Sequence, residues 1–180
     1  FAEKLKVPAK RLEGYLFPDT YSFERDEAPE TVLGAMVDRW RAEWKPEFDA
    51  RAAELSFSMH EVMTLASIIE KETGRADERP LISGVFHHRM SIGMKLQTDP
   101  TVIYGIPNYE GDIRFSHLKD RSNPYNTYVI PRLPPGPIAS PGAKAIEAAL
   151  WPAPTKSLYF VARSDGSHAF SRTFAEHNIW

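Results

Sequence analysis

Cysteine is absent from the 180 residues, which excludes disulfides, thiolate metal sites and a thiol nucleophile. Long apolar runs are absent as well; none approaches the roughly 20 residues that a membrane-spanning helix needs. Nor is there an excess of one charge. Lys and Arg number 22 against 24 Asp and Glu, a net charge of −2, so no strong field points to nucleic acid. No G-x-S-x-G elbow and no glycine-rich phosphate cradle occurs. His60-Glu61 lacks the second histidine of an H-E-x-x-H motif, His87 and His88 point in different directions on a helix, and His168 falls in an expected strand. Neither a metal nor a cofactor is expected. No signal peptide is visible, and a chain running from Phe1 to Trp180 reads as an excised domain whose anchor or targeting segment would lie outside it.

What is present is enough for one sizeable core or two small lobes. The pattern is α+β: a helical core with a small antiparallel hairpin. Leu12 to Phe23 is aromatic and turn-rich and reads as extended. Val32, Leu33, Met36, Val37 and Trp40 recur at helical spacing and predict a helix over Pro29 to Trp44. Asp77 is placed to cap a helix whose stripe is Leu81, Ile82, Val85, Phe86 and Met90. Thr98, Asp99 and Pro100 resemble a cap with proline in the first turn, predicting a short helix through Tyr104 to Gly105. Residues 106–125 read as loop, and Asn126 to Ile130 as a strand. A proline-rich connection leads to a helix that starts at Ser140-Pro141 and stops at Pro152. Leu158 to Ala162 and His168 to Ser171 flank Ser-Asp-Gly, a hairpin signal.

The segment from Ser58 to Gly74 carries the most chemistry. Ser58 and Glu61 have the spacing of a capping box. Val62, Met63, Leu65, Ala66, Ile68 and Ile69 leave almost no polar face, as in a helix buried on most sides. Glu70 falls in its last turn, before Gly74. Partial burial and the negative end of the helix dipole would both disfavour its charged form, which suits a general acid. A helix-end Glu that simply reaches water fits the same pattern. Glu72 is the rival; two positions along a helix turn it roughly 200° away, so the two carboxylates cannot share a face. On that ground Glu72 is expected to be a solvated or structural partner of Arg75 or Arg79, and Glu70 the catalytic group. Lys71 reads as an ordinary exposed lysine rather than a Schiff-base residue.

Six segments occur in a family-specific order: GYLFPDTY, LASIIEKET, GMKLQTDPTVIYG, YNTY, LPPGPIASPG and LYFVA…GSHAFS. From about Leu12 to Asn178 the chain resembles the MltG/YceG-like family, membrane-anchored endolytic transglycosylases of bacterial peptidoglycan. The resemblance implies cleavage between MurNAc and GlcNAc without water, leaving a 1,6-anhydro-MurNAc end, with the catalytic Glu of that family mapping onto Glu70. One carboxyl would act as acid and then as base, the substrate's own C6 hydroxyl serving as nucleophile. The resemblance also implies glycan strands as substrate, cell-wall synthases as partners of the full protein, and a position at the outer face of the cytoplasmic membrane. A membrane helix and a small domain of the family precede the region matched here, and its last helix continues past Trp180. Residues 1–55 read as the N-terminal part of the catalytic region and 56–180 as its core.

A glycan cleft needs hydroxyl- and acetamide-binding groups with aromatic faces. Gln97 is the best candidate for substrate contact. Asp99 is also a candidate, although a helix N-cap explains it as well. Asn126 and Tyr128 lie on the expected strand, with Tyr125 directly before it, and Asn126 facing the cleft would offer a donor and an acceptor; a turn-initiating Asn after Pro124 fits equally. Glu13 and Asp19 are the functional candidates of the first aromatic segment, where Pro18 breaks any regular strand. Two alternatives stand beside the transglycosylase: a non-catalytic glycan-binding or scaffold module, and a water-using muramidase with Asp99 as second carboxylate.

Overall fold

A computed structural model describes residues 1–180. Eight helices and one hairpin follow in order: α1 Pro29–Glu43, α2 Pro46–Glu54, α3 Met59–Glu72, α4 Arg79–Ser91, α5 Asp99–Tyr104, α6 Phe115–Lys119, α7 Ala143–Leu150, β1 Tyr159–Ala162, β2 His168–Ser171 and α8 Phe174–His177. This is the expected α+β class. No helix is long and apolar enough to cross a membrane.

Helix α3 is the axis of the molecule. Its capping box forms as predicted: Ser58 Oγ accepts from the Glu61 N–H at 3.2 Å, and Glu61 Oε2 accepts from the Ser58 N–H at 2.8 Å. Every residue from Val62 to Ile69 is buried, because α7 and α4 cover α3 on different sides. Helix α7 supplies Ala145, Ile146, Ala149 and Leu150 to this core, the small alanines letting the two helices approach closely. The polar members of α3 are satisfied within this packing. Thr64 Oγ1 donates to the His60 carbonyl, and Ser67 Oγ accepts the Ile138 N–H at 3.0 Å, pinning the proline-rich segment onto α3.

Helix α4 buries Ile82, Val85 and Phe86 from its expected stripe. It starts at Arg79 behind Glu78, not behind Asp77, which is held by Arg75 instead. Gly84 lets the chain cross here: a Cβ would lie 2.2 Å from the Ala153 carbonyl oxygen. The hairpin forms in the expected place, with Tyr159 opposite Ser171 and Ala162 opposite His168, closed by a turn with Gly166 at φ +78°. It is clamped to the start of α4. Glu78 accepts the His168 backbone N–H at 3.0 Å and pairs with its ring Nδ1 at 2.6 Å. Burial works against the Glu78 charge, but the His168 bonds outweigh it and hold Glu78 below the ordinary glutamate range.

Residues 126–130 depart from expectation. They form a turn, not a strand, and no strand pairs with them. Asn126 is fully buried; its Nδ2 donates to the carbonyls of His117, Leu118 and Asp120, and its Oδ1 accepts the Tyr128 N–H. An Asn that satisfies its own backbone two residues on defeats strand pairing. Helices α2, α6 and α8 lie where the sequence pattern predicts no element.

Candidate active site

The two glutamates at the end of α3 face different ways, and Glu72 faces a cavity. Glu70 is outside it. Its Oε1 accepts from Arg79 Nη2 at 2.9 Å, and its Oε2 accepts the Gly142 N–H at 3.1 Å. Arg79 opens α4 and Gly142 caps α7, so Glu70 ties three helix ends together. A guanidinium and a backbone N–H on its two oxygens occupy the carboxyl with structural work. The structure thus places Glu70 beside Arg79, outside the cavity expected around it. Arg79, expected beside Glu72, is the Glu70 partner, and Arg75 pairs with Asp77 and Glu78.

Glu72 lines a cavity of about 430 Å³ formed where the end of α3 meets α4, α5 and the hairpin. No protein group donates a well-formed hydrogen bond to its carboxyl. Burial raises its proton affinity most, and the charge of Asp99 raises it further; Thr98, His168 and Arg89 oppose, and the net displacement is upward from 4.5. The Thr98 hydroxyl favours the charged form from nearby, yet it is buried and has no partner at full hydrogen-bond geometry.

Three predicted substrate-contact residues share this cavity: Gln97, Asp99 and Tyr128. Gln97 is exposed and holds a left-handed backbone with φ +53°, a costly conformation for a non-glycine residue and one that clusters at functional sites. Its N–H is anchored on the Thr127 carbonyl at 3.2 Å. Asp99 does not cap α5, which follows Thr98 with no side-chain cap. Its Oδ1 instead accepts from the Tyr128 hydroxyl at 2.7 Å. Burial, reinforced by Asp99, pushes the Tyr128 phenol up, so it remains a proton donor at any physiological pH.

Sequence reasoning did not find the rest of the wall. Arg89 is 7% exposed; its Nε donates to the Leu158 carbonyl and its Nη1 to those of Leu96 and Lys95, while Nη2 has no protein acceptor. Its guanidinium lies 5.2 Å from the Tyr159 ring centroid. Phe160 of β1 and Phe174 and His177 of α8 complete an aromatic side. No local signal in the sequence could have joined α8 to α3, since the hairpin that delivers it is a long-range contact.

The remaining candidates lie elsewhere. Asn126 is a buried structural bracket and does not face the cavity. Asp19 is at the surface, where the Arg39 guanidinium holds its carboxyl below the usual range. Glu13 and Tyr125 line a second groove, of about 480 Å³, with His60 and Tyr104.

Together these features define an α+β protein with a buried carboxyl, near the Thr98 hydroxyl, in a polar and aromatic cavity suited to acid–base chemistry on a hydroxyl-rich ligand. The chain belongs to the YceG-like family, which it matches over residues 2–179. It is 39% identical over 179 residues to a Bacillus subtilis (strain 168) protein named endolytic murein transglycosylase, covering 99% of this chain and 48% of that one. A Streptococcus pneumoniae (serotype 2, strain D39) protein of the same name is 31% identical over 173 residues, 93% of this chain and 31% of its own length. The crystal structure of a YceG-like protein from Listeria monocytogenes superposes with a TM-score of 0.85 at 36% identity, covering 98% of this chain and 58% of that one. The chain thus spans about half the length of the Bacillus relative.

Proposed function

We propose that this chain is the catalytic region of an endolytic lytic transglycosylase, with Glu72, rather than Glu70, as its acid and base. The observation that carries this reading is the Glu72 carboxyl, placed in the cavity among Gln97, Asp99 and Tyr128 and biased by burial toward its protonated form. The shared name of the relatives supports murein as the substrate.

Protonated Glu72 gives its proton to the glycosidic oxygen between MurNAc and GlcNAc as the bond from that oxygen to C1 breaks. The carboxylate left behind takes the proton of the C6 hydroxyl while O6 bonds to C1. The products are a 1,6-anhydro-MurNAc end and a free hydroxyl on the released sugar, with no water consumed. Upward bias suits the first half of this cycle. Arg89 and Thr98, which favour the charged form, suit the second. Tyr128 holds Asp99 as an acceptor, so Asp99 orients sugar hydroxyls and Gln97 supplies an amide for acetamido recognition. The aromatic side from Tyr159 to Phe174 suits the apolar face of a pyranose ring and keeps water from C1.

A murein substrate places the action on the extracytoplasmic side. A single anchor in the full-length protein, and glycan polymerases beside it at the outer face of the cytoplasmic membrane, belong to the same proposal. The test is digestion of peptidoglycan with mass spectrometry of the products. Anhydro ends made by the wild type and lost in Glu72→Gln support the reading. Reducing ends would instead mean a muramidase using water, with Asp99 as the second carboxylate.

A further inference from the structure

The second groove and the Glu72 cavity are neighbours by construction. Helix α5 puts Asp99 in the cavity and Tyr104, at its other end, in the groove. At 1.5 Å per residue its six residues span about 9 Å. The turn that follows α6 repeats the arrangement, with Tyr128 in the cavity and Tyr125 in the groove, and the buried Asn126 and Thr127 form the rigid spine between them. Two segments therefore connect the cavity to the groove.

The groove is preformed. His60 is locked: the Pro135 carbonyl can only accept, so Nε2 carries the proton at 3.0 Å, and Nδ1 takes the Tyr15 hydroxyl at 2.7 Å. Pro135, Gly136 and Pro137 form a stiff wall against it, and a Cβ at Gly136 would lie 3.2 Å from His60 Nε2. The Tyr104 and Tyr125 rings meet with centroids 4.7 Å apart. Charge of both signs then lines the space. Glu13 accepts from the Tyr104 hydroxyl at 3.3 Å, while Lys10 and Arg11 have no carboxylate within salt-bridge distance. Sugar hydroxyls and acetamides would need neither charge, and the lactyl carboxylate of a bare muramyl sugar would use only the cations. A short peptide carrying carboxylates and an amine would use both, with its side chains against the tyrosines.

We propose that this groove binds the peptide branch of the glycan strand whose muramyl sugar occupies the Glu72 cavity. The proposal rests on the murein reading of that cavity. About 9 Å is the reach of three extended residues, so a short branch on the bound sugar is long enough to span from the cavity to the groove.

The experiment is a titration of the isotope-labelled chain with a synthetic murein stem pentapeptide, followed by NMR, in the wild type, in Glu72→Gln and in the exposed double variant Lys10→Glu/Arg11→Glu. Expected are shifts at Tyr104, Tyr125 and His60 in the first two proteins, and affinity weakened about five- to tenfold in the third, the size of one or two exposed charge contacts. Cleavage assays should show the double variant losing more kcat/KM on peptide-bearing strands than on strands stripped of peptide by an amidase. An unperturbed groove, or equal shifts from a peptide-free glycan, overturns the proposal. Cleavage that survives Glu72→Gln while peptide still fills the groove sinks the acid assignment and leaves the groove standing. Inactive Glu72→Gln with no peptide binding does the reverse.

Discussion

Exchanging each α3 glutamate for glutamine in turn separates chemistry from scaffold. Glu72→Gln keeps shape and hydrogen-bonding capacity but can neither give nor take a proton. Positioned general acid catalysis contributes about 10²–10⁴-fold, or roughly 2.7–5.4 kcal/mol of barrier, so cleavage should fall by that factor. Folding should not suffer, because the neighbouring Thr98 hydroxyl can still meet a glutamine amide there and no ion pair ends on that carboxyl. Glu70→Gln acts on the other side of the helix. It removes the charge facing Arg79, and the two side chains are 28% and 13% exposed, too enclosed for water to compensate fully. The loss is about 1–2 kcal/mol, a melting point lower by roughly 2–8 °C at this chain length. Turnover per folded molecule should remain near the wild-type value. The assay pairs anhydro-product formation with thermal unfolding for both variants. Loss of cleavage in a well-folded Glu70→Gln, with Glu72→Gln active, would refute the assignment.

Three further outcomes follow from the same geometry. Because Glu72 titrates above 4.5 in the fold, the protein gives up stability as pH rises through that raised value. Glu72→Gln should therefore melt higher than the wild type at neutral pH and equal to it below about pH 4, in parallel melts across pH; the same titration should set an alkaline limb on cleavage. Asn126→Asp would turn a carboxylate oxygen toward three carbonyls, costing about 2–4 kcal/mol, seen as a lower melting point, while its other oxygen can still accept the Tyr128 N–H. Gly84→Ala drives a methyl into the Ala153 carbonyl and should destabilise by about 1–3 kcal/mol in denaturant melts, with m unchanged.

Legibility in the sequence tracks the range of the interaction. The α3 capping box, the stripe of α4, α7 and the hairpin are written in local spacing and can be read from it. Helix α2 cannot: Phe48 and Ala52 are its only buried residues, too few to give a period. At 126–130 the composition misleads. Thr127, Tyr128, Val129 and Ile130 are all strand formers, but Asn126 closes a turn over them and no partner strand exists. That Glu70 and Glu72 point in different directions is also local information, and it holds. What local spacing could not supply is which of the two faces meets Arg79 and which meets the cavity, since that depends on α4, α5 and a hairpin far along the chain.

The clamp from Glu78 to His168 carries one more consequence. A lone two-stranded hairpin is at best marginally stable in water, so β1 and β2 depend on this clamp, on the Phe86–Phe160 contact and on Arg89, which bonds the Leu158 carbonyl and stacks on Tyr159. The aromatic side of the cavity is therefore borrowed from a flap whose hinge is an imidazole. Acidification through the lowered Glu78 titration would remove one of the ties that hold this aromatic side against α4.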